Sequence, residues 1–162
     1  MYPKFLTRLL TSPASDELKL TICRIVLKGD KQEEKTAEVN KYAVLVGPLM
    51  ELYKTSLPKM ATLACAALIN VSLGNKETKQ QLMNDGAAQI ISQRLDSKDE
   101  PVLLNTLMLA RNLSITGNYR RALTMYNVVE KLIGILVGTG IPDADYSPKI
   151  KLANTQLLSS FC

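Results

Sequence analysis

The spacing of apolar and polar positions predicts helices along most of the chain. The clearest example is DEPVLLNTLMLARNLSI, residues 99–115, where apolar residues recur every three or four positions. Asp99 and Glu100 favour a helix N-terminus through their charge, and Pro101 suits the first turn. Gly117 is then expected to end the helix. A long and largely apolar helix is therefore predicted here, and it has to be buried on several sides.

A second long helix has the same design and introduces a repeating unit. In SLPKMATLACAALINVSLG, Ser56 is the expected cap, Pro58 falls in the first turn and Gly74 marks the end. Each long helix is followed by a shorter polar one, NKETKQQLMND or NYRRALTMY. Next comes a corner residue that can take a left-handed conformation, Gly86 or Asn127, and then another apolar helix.

The repeat extends beyond these two copies. NVSLGNKETKQQL and NLSITGNYRRAL restate one pattern at a spacing of 42 positions, and Gly47 is expected to mark the same corner one unit earlier. We expect a single domain over residues 1–162, built from the following segments. These are a partial repeat at 4–28, repeats at 31–73 and 75–115, and a last repeat at 118–162 with an expanded loop at 138–148 and an end where the chain is either cut or complete. Matching Asn105 with Asn154 indicates an insertion of about seven residues in that loop.

Three helices per unit of this length resemble the armadillo repeat family. The resemblance is strongest over Met60–Leu123, in the GA-x-x-x-L-type corner and the N-[LV]-S ending. It implies an all-α fold, a right-handed α-α superhelix whose neighbouring units stack into one core. It also implies a concave groove lined by the third helix of each unit, as in β-catenin-like and importin-α-like solenoids.

The groove is where the resemblance implies binding. Its Asn residues, here Asn70 and Asn112, would hold the backbone of an extended peptide, since a carboxamide both donates and accepts hydrogen bonds. Arg111 would add a contact to an acidic ligand. The helical period places four more candidates on the same stripes: Asn105, Met108, Ala66 and Lys59. A purely structural role for the Asn residues, bonding loose carbonyls at helix ends, stays open.

One departure from the family narrows the partner. Importin-α-type repeats pair the groove Asn with a Trp one turn earlier, but Ala66 and Met108 stand at those positions and the chain has no Trp. Recognition of nuclear localisation signals is therefore disfavoured. A β-catenin-like use, in which the groove takes a protein or an extended, acidic peptide, departs less from the residues present.

Composition excludes most chemistry. The chain has no histidine and three cysteines without metal-ligand spacing, so no catalytic residue, metal site, cofactor or small-molecule substrate is predicted. Cys23, Cys65 and Cys162 are expected to be reduced and structural. A net charge of +5 permits an acidic partner, and no apolar run is long enough to span a membrane.

The leading hypothesis is a protein-interaction module and not an enzyme. The alternative is a structural component packed end to end in a larger cytoskeletal or ciliary assembly, because incomplete terminal units leave apolar ends exposed. Nucleic-acid binding ranks third, since aromatic residues make up only 5% of the chain. A cytoplasmic location is expected, with a cytoskeletal or nuclear one left open.

Overall fold

The described parts of the chain are helical. The computed structural model describes residues 2–29, 43–55, 57–73, 75–139 and 146–161, and no strand occurs within them. Within these residues, ten α-helices run in this order: α1 Tyr2–Thr11, α2 Asp16–Gly29, α3 Val46–Lys54, α4 Pro58–Ser72, α5 Lys76–Asn84, α6 Ala87–Arg94, α7 Glu100–Ser114, α8 Gly117–Met125, α9 Val128–Val137 and α10 Pro148–Leu158. A 3-10 turn, Ala43–Leu45, leads into α3. The predicted all-α class is confirmed.

Some predicted features lie outside the described residues. They are the cap Ser56, the helix end Gly74, the start of the repeat at Lys31, residues 140–145 of the expanded loop, and Cys162.

Side-chain caps fix where several helices begin. The Oδ1 atom of Asp99 accepts a hydrogen bond from the backbone N–H of Val102 at 3.0 Å, and Pro101 lies in the first turn as predicted. The prediction for the other end of α7 is wrong, because the helix stops at Ser114 and Gly117 opens α8. The Leu113 carbonyl accepts the Thr116 N–H at 3.1 Å, so the turn closes without a left-handed glycine.

The predicted corners differ in outcome. Gly86 (φ 84°) and Asn127 (φ 58°) are both left-handed and stand directly before α6 and α9, so these two predictions are confirmed. Gly47 is not a corner. It is the second residue of α3 and has no positive φ, because the 3-10 turn before it runs straight into the helix.

Replacing each of these two glycines with alanine should shift stability in opposite directions. A Cβ on either one would meet no atom within 4 Å, so only backbone conformation separates them. Gly86→Ala should lower the free energy of unfolding by about 1–2 kcal/mol, because L-residues are strained at this φ. Gly47→Ala should raise it, by up to about 1 kcal/mol, because alanine favours a helix. Urea denaturation measures both, and a loss of stability in Gly47→Ala would contradict the structure of α3.

The helices fall into two compact units, Met1–Asp85 and Gly86–Cys162. In the first unit, α4 packs against α2 and α3, and α1 packs against α3 and the 3-10 turn. The core is apolar, and its largest fully buried side chains include Tyr53, Ile22, Leu45, Leu49, Met50, Leu68 and Leu82. Burial of this kind supplies most of the stability that these short helices lack on their own.

In the second unit, α7 packs against α6, α8 and α10, and α9 packs against α6, α8 and α10. Fully buried large side chains here include Leu95, Ile91, Leu107, Leu109 and Leu113. If the short polar helix is counted as the first helix of each repeat, α6 and α9 are second helices and α7 and α10 are third helices. The second helices thus lie beside each other, and so do the third helices. This is the arrangement expected where successive repeats stack.

The cysteines that the structure describes belong to the core. Cys23 and Cys65 are both fully buried. Burial raises the pKa of the Cys23 thiol to about 11, so it stays protonated near neutral pH and is a poor nucleophile. It packs as a small apolar residue.

Candidate functional site

The candidate site is the surface of the third helices. These are α2 and α4 in the first unit, and α7 and α10 in the second, and each pair packs side by side. Every residue predicted to bind a partner lies on α4 or α7. The two pairs are described separately.

On α4, Asn70 is partly used within the fold. Its Nδ2 donates a hydrogen bond to the carbonyl oxygen of Leu27 in α2 at 3.3 Å, and the side chain is half-buried. The bond ties the ends of two adjacent third helices together and satisfies a carbonyl in the last turn of α2. The structural role that the sequence left open is therefore present here, alongside any contact that the exposed part of the carboxamide could make.

On α7, Asn112 does not belong to an exposed stripe. Only 6% of the residue is accessible, because it lies near the C-terminal end of α7 among buried neighbours such as Leu113 and Ser114. Ser160, which follows α10, donates a hydrogen bond to the Ser114 hydroxyl at 2.7 Å and so lies against this end of α7. An exposed Asn112 was expected, and this expectation is wrong.

Arg111 lies on the accessible side of α7. Its Nη1 donates a hydrogen bond to Oε1 of Gln156 in α10 at 2.8 Å, and both side chains are exposed. At the other end of the pair, the Ser147 hydroxyl donates to Oε1 of Glu100 at 2.7 Å. These two polar contacts join the edges of α7 and α10 and leave the remaining donors of the guanidinium facing solvent.

Two apolar side chains lie between those contacts. Met108 precedes Arg111 by one turn and is 47% exposed, and Leu152 precedes Gln156 by one turn and is 61% exposed. We call Met108, Arg111, Leu152 and Gln156 the α7–α10 surface. It combines apolar area with one cation and one amide, which suits an extended peptide bound through both side chains and backbone.

The remaining predicted residues are placed as follows. Lys59, in the first turn of α4, is exposed, and Ala66 is half-buried. Asn105 is half-buried on α7 and already takes part in an interaction within the protein. Their roles in binding a partner stay predictions.

Comparison with known proteins gives a structural answer only. No protein-family model matches the sequence, and no curated protein is significantly similar to it. Solved structures do match. An engineered protein superimposes over 99% of this chain with a TM-score of 0.80 and 18% identity. A computationally designed armadillo repeat protein for modular peptide recognition covers 97% with a TM-score of 0.77 and 21% identity. The chain has the armadillo-repeat fold.

A further similar structure was solved with a ligand. It is a designed armadillo repeat protein in complex with the peptide (KR)4, and it covers 97% of this chain and 80% of its own, with a TM-score of 0.63 and 15% identity. The chain spans 63% of the length of each of the first two structures. Identities this low establish the armadillo fold and leave the ligand of this chain to be derived from its own residues.

Sequence reasoning missed the α10 half of this armadillo surface. Leu152 and Gln156 were not predicted because the candidate residues were taken only from the segments that form α4 and α7. The match of Asn105 with Asn154 also misplaces α10 by one residue. Asp99 and Ser147 cap α7 and α10 in the same way, each accepting from the N–H three residues on, and this aligns Thr106 with Asn154. A Ser-Pro pair before an apolar run was the sequence signal for that cap.

Two kinds of site are not found in the described part of this chain. It contains no group of three or more cysteine or carboxylate side chains placed to hold a metal ion. None of its described helices has the length and apolar character needed to cross a bilayer.

Proposed function

We propose that this chain is a protein-interaction module, not an enzyme, and that it binds an extended segment of a partner protein along its third helices. The observation that carries the proposal is the α7–α10 surface, where Met108 and Leu152 are exposed beside Arg111. Exposed apolar side chains next to an incompletely used guanidinium are typical of the anchor residues at protein interfaces.

The charge of this surface favours an acidic segment. Arg111 and Lys149 are exposed along it, and Glu100 is the exposed carboxylate at its edge. The designed armadillo protein in complex with (KR)4 holds a basic peptide, whereas the residues of this chain suit a ligand of opposite charge. Carboxylates of the partner would pair with Arg111, and its apolar side chains would cover Met108 and Leu152.

Selection from a random peptide library tests this proposal. We expect enrichment of extended peptides that combine acidic and apolar residues. Arg111→Glu should weaken the binding of an enriched peptide by about tenfold or more, which corresponds to about 1.4 kcal/mol, because a like charge then faces its carboxylates. Fluorescence anisotropy measures the affinity.

Arg121→Glu is the matched control. Arg121 is equally a surface cation but lies on α8 and is not part of the α7–α10 surface. Its replacement changes net charge by the same amount and should leave affinity nearly unchanged at physiological salt. If both variants lose affinity equally, binding depends on overall charge and the third-helix site is refuted. Enrichment of basic peptides would refute the proposed ligand.

A further inference from the structure

The second helix of the last repeat carries an exposed apolar stripe. Ile133 and Leu136 are each 48% exposed, Val137 is 63% exposed, and Val129 is half-buried. Their spacing places all four on one side of α9, next to the side that carries the buried Val128, Leu132 and Ile135. We call Val129, Ile133, Leu136 and Val137 the α9 stripe.

Three of the four equivalent positions one repeat earlier are buried, and the fourth, Asp96 at the position of Val137, is exposed. Gly86 and Asn127 are the left-handed residues before α6 and α9, so they align the two helices at an offset of 41 positions. The stripe residues Val129, Ile133 and Leu136 then correspond to Ala88, Ser92 and Leu95, which are 3%, 9% and 1% exposed.

The cover over those earlier positions comes from the next repeat of the same unit. Helices α8 and α9 both pack against α6. Lys131 of α9 donates a hydrogen bond to the Ser92 carbonyl at 2.8 Å and forms an ion pair with Asp96. This side of a second helix is therefore a stacking interface in α6, and the α9 stripe presents the same interface with larger apolar side chains.

The third helix beside the α9 stripe has polar residues on its stacking side. The caps align α7 with α10, so Leu103 and Leu107, which are 2% and 0% exposed, correspond to the exposed Lys151 and Thr155. The surface formed by α9 and α10 thus has an apolar part on α9 and a polar, cationic part on α10. An occupant has to match both parts.

Helices α1 and α2 have the matching features on their outward sides. On α1, Phe5 is 58% exposed and Leu9 is half-buried, while Leu6 and Leu10 are buried. On α2, the Oγ atom of Ser15 accepts a hydrogen bond from the Leu18 N–H at 3.4 Å, so Leu18 follows its cap by three positions. Leu18 is 38% exposed, whereas Val102 and Ile150, which follow the caps of α7 and α10 by three positions, are each 1% exposed.

Charge selects this pairing. The α9 stripe is bordered by the exposed Glu130, and α1 carries the exposed Lys4 and Arg8. Lys151 lies on α10, and the first turn of α2 carries the exposed Asp16 and Glu17. Pairing α9 with α1 would therefore bring an acidic residue to basic residues, and pairing α10 with α2 would bring a basic residue to acidic residues.

We propose that the α9 stripe binds α1 of a second copy of this chain, with α10 beside its α2, in the same way that α9 and α10 stack on α6 and α7. The contact is heterologous, so a dimer still has one unoccupied α9 stripe and one unoccupied α1. Further copies can therefore add, and the average size should grow as the concentration rises. It uses a different face from the α7–α10 surface and does not depend on peptide binding.

Sedimentation of the purified chain over about two decades of concentration tests the self-association. The weight-average mass should rise continuously past that of a dimer. Ile133→Asp and Phe5→Asp should each raise the dissociation constant by about tenfold or more, because each places a charge in the apolar contact. Ile115→Asp is the control. Ile115 is 73% exposed but belongs neither to the α9 stripe nor to α1, so its replacement should leave the dissociation constant unchanged.

Mixing the two blocked variants decides the geometry. Ile133→Asp keeps a working α1, and Phe5→Asp keeps a working α9 stripe. At a concentration where the wild type associates and each variant alone is monomeric, the mixture should form a dimer and no larger species. Circular dichroism confirms that both are folded. A wild-type chain that stays monomeric overturns the proposal. So does a Phe5→Asp variant that still dimerises alone, which would mean that two α9 stripes pair with each other.

Discussion

Leu107→Ala will lower the free energy of unfolding by about 2–5 kcal/mol, the range for removing a fully buried leucine side chain. Leu107 is 0% exposed in the middle of α7, which packs against α6, α8 and α10. The substitution removes apolar contacts and leaves a cavity. Because three helices pack against α7, its backbone can move only a little to fill that cavity. Thermal unfolding should shift by about 2–4 °C for each kcal/mol in a chain of this length.

Met108→Ala is the matched control, because it removes a side chain of similar size from the next residue. Met108 is 47% exposed on the α7–α10 surface, and its loss should change the free energy of unfolding by about 0.5 kcal/mol or less. The same variant should weaken the binding of a peptide enriched from the library. Equal losses of stability in both variants would mean that α7 is rotated from its described orientation, and the candidate surface would lose its basis.

Local chemistry explains what the sequence predicted well. Gly86 and Asn127 were recognised as corners because only glycine, and less readily asparagine, enters the left-handed region at low cost. Asp99 and Pro101 were placed correctly at the start of α7 because capping depends on neighbours within three residues. Each of these features is decided within a few positions of chain.

Burial decided by distant residues could not be predicted in the same way. The helical period places Asn112 on a stripe with Asn105 and Met108, yet Asn112 is 6% exposed and Met108 is 47% exposed. The difference depends on what packs against the end of α7. There, Ser160 bonds to Ser114, and the backbone carbonyl of Ser160 accepts from Nη1 of Arg120 at 2.7 Å. No pattern within α7 contains that information.

The same limit applies to α10. Its place depends on the length of the preceding loop, since Asp99 follows Gly86 by 13 positions and Ser147 follows Asn127 by 20. A match of two residues can be wrong by one position, and one position is 100° of helix. That error aligned Asn154 with Asn105, a predicted groove residue, whereas the caps align it with the buried Thr106.

Asn154→Ala should therefore lower the free energy of unfolding by about 2–3 kcal/mol. Asn154 is 0% exposed, and its Nδ2 donates a hydrogen bond to the Leu132 carbonyl oxygen in α9 at 2.8 Å. The substitution removes this bond between two helices and leaves a cavity. The buried Oδ1 atom has no hydrogen-bond partner within the described residues, and this cost of burial keeps the expected loss below that of Leu107→Ala.

Two further variants separate the bond from the cavity. Asn154→Leu fills the volume without the hydrogen bond and should recover part of the loss, and Thr155→Ala, on the exposed neighbour, should change stability by about 0.5 kcal/mol or less. Asn70→Ala should cost only about 0.5–1.5 kcal/mol, because its bond to Leu27 is longer and half-buried. Urea denaturation gives all four values. If Asn154→Ala is as stable as the wild type, the bond between α9 and α10 is not a determinant of their packing, and the geometry of the α9 stripe beside Lys151 would need a different basis.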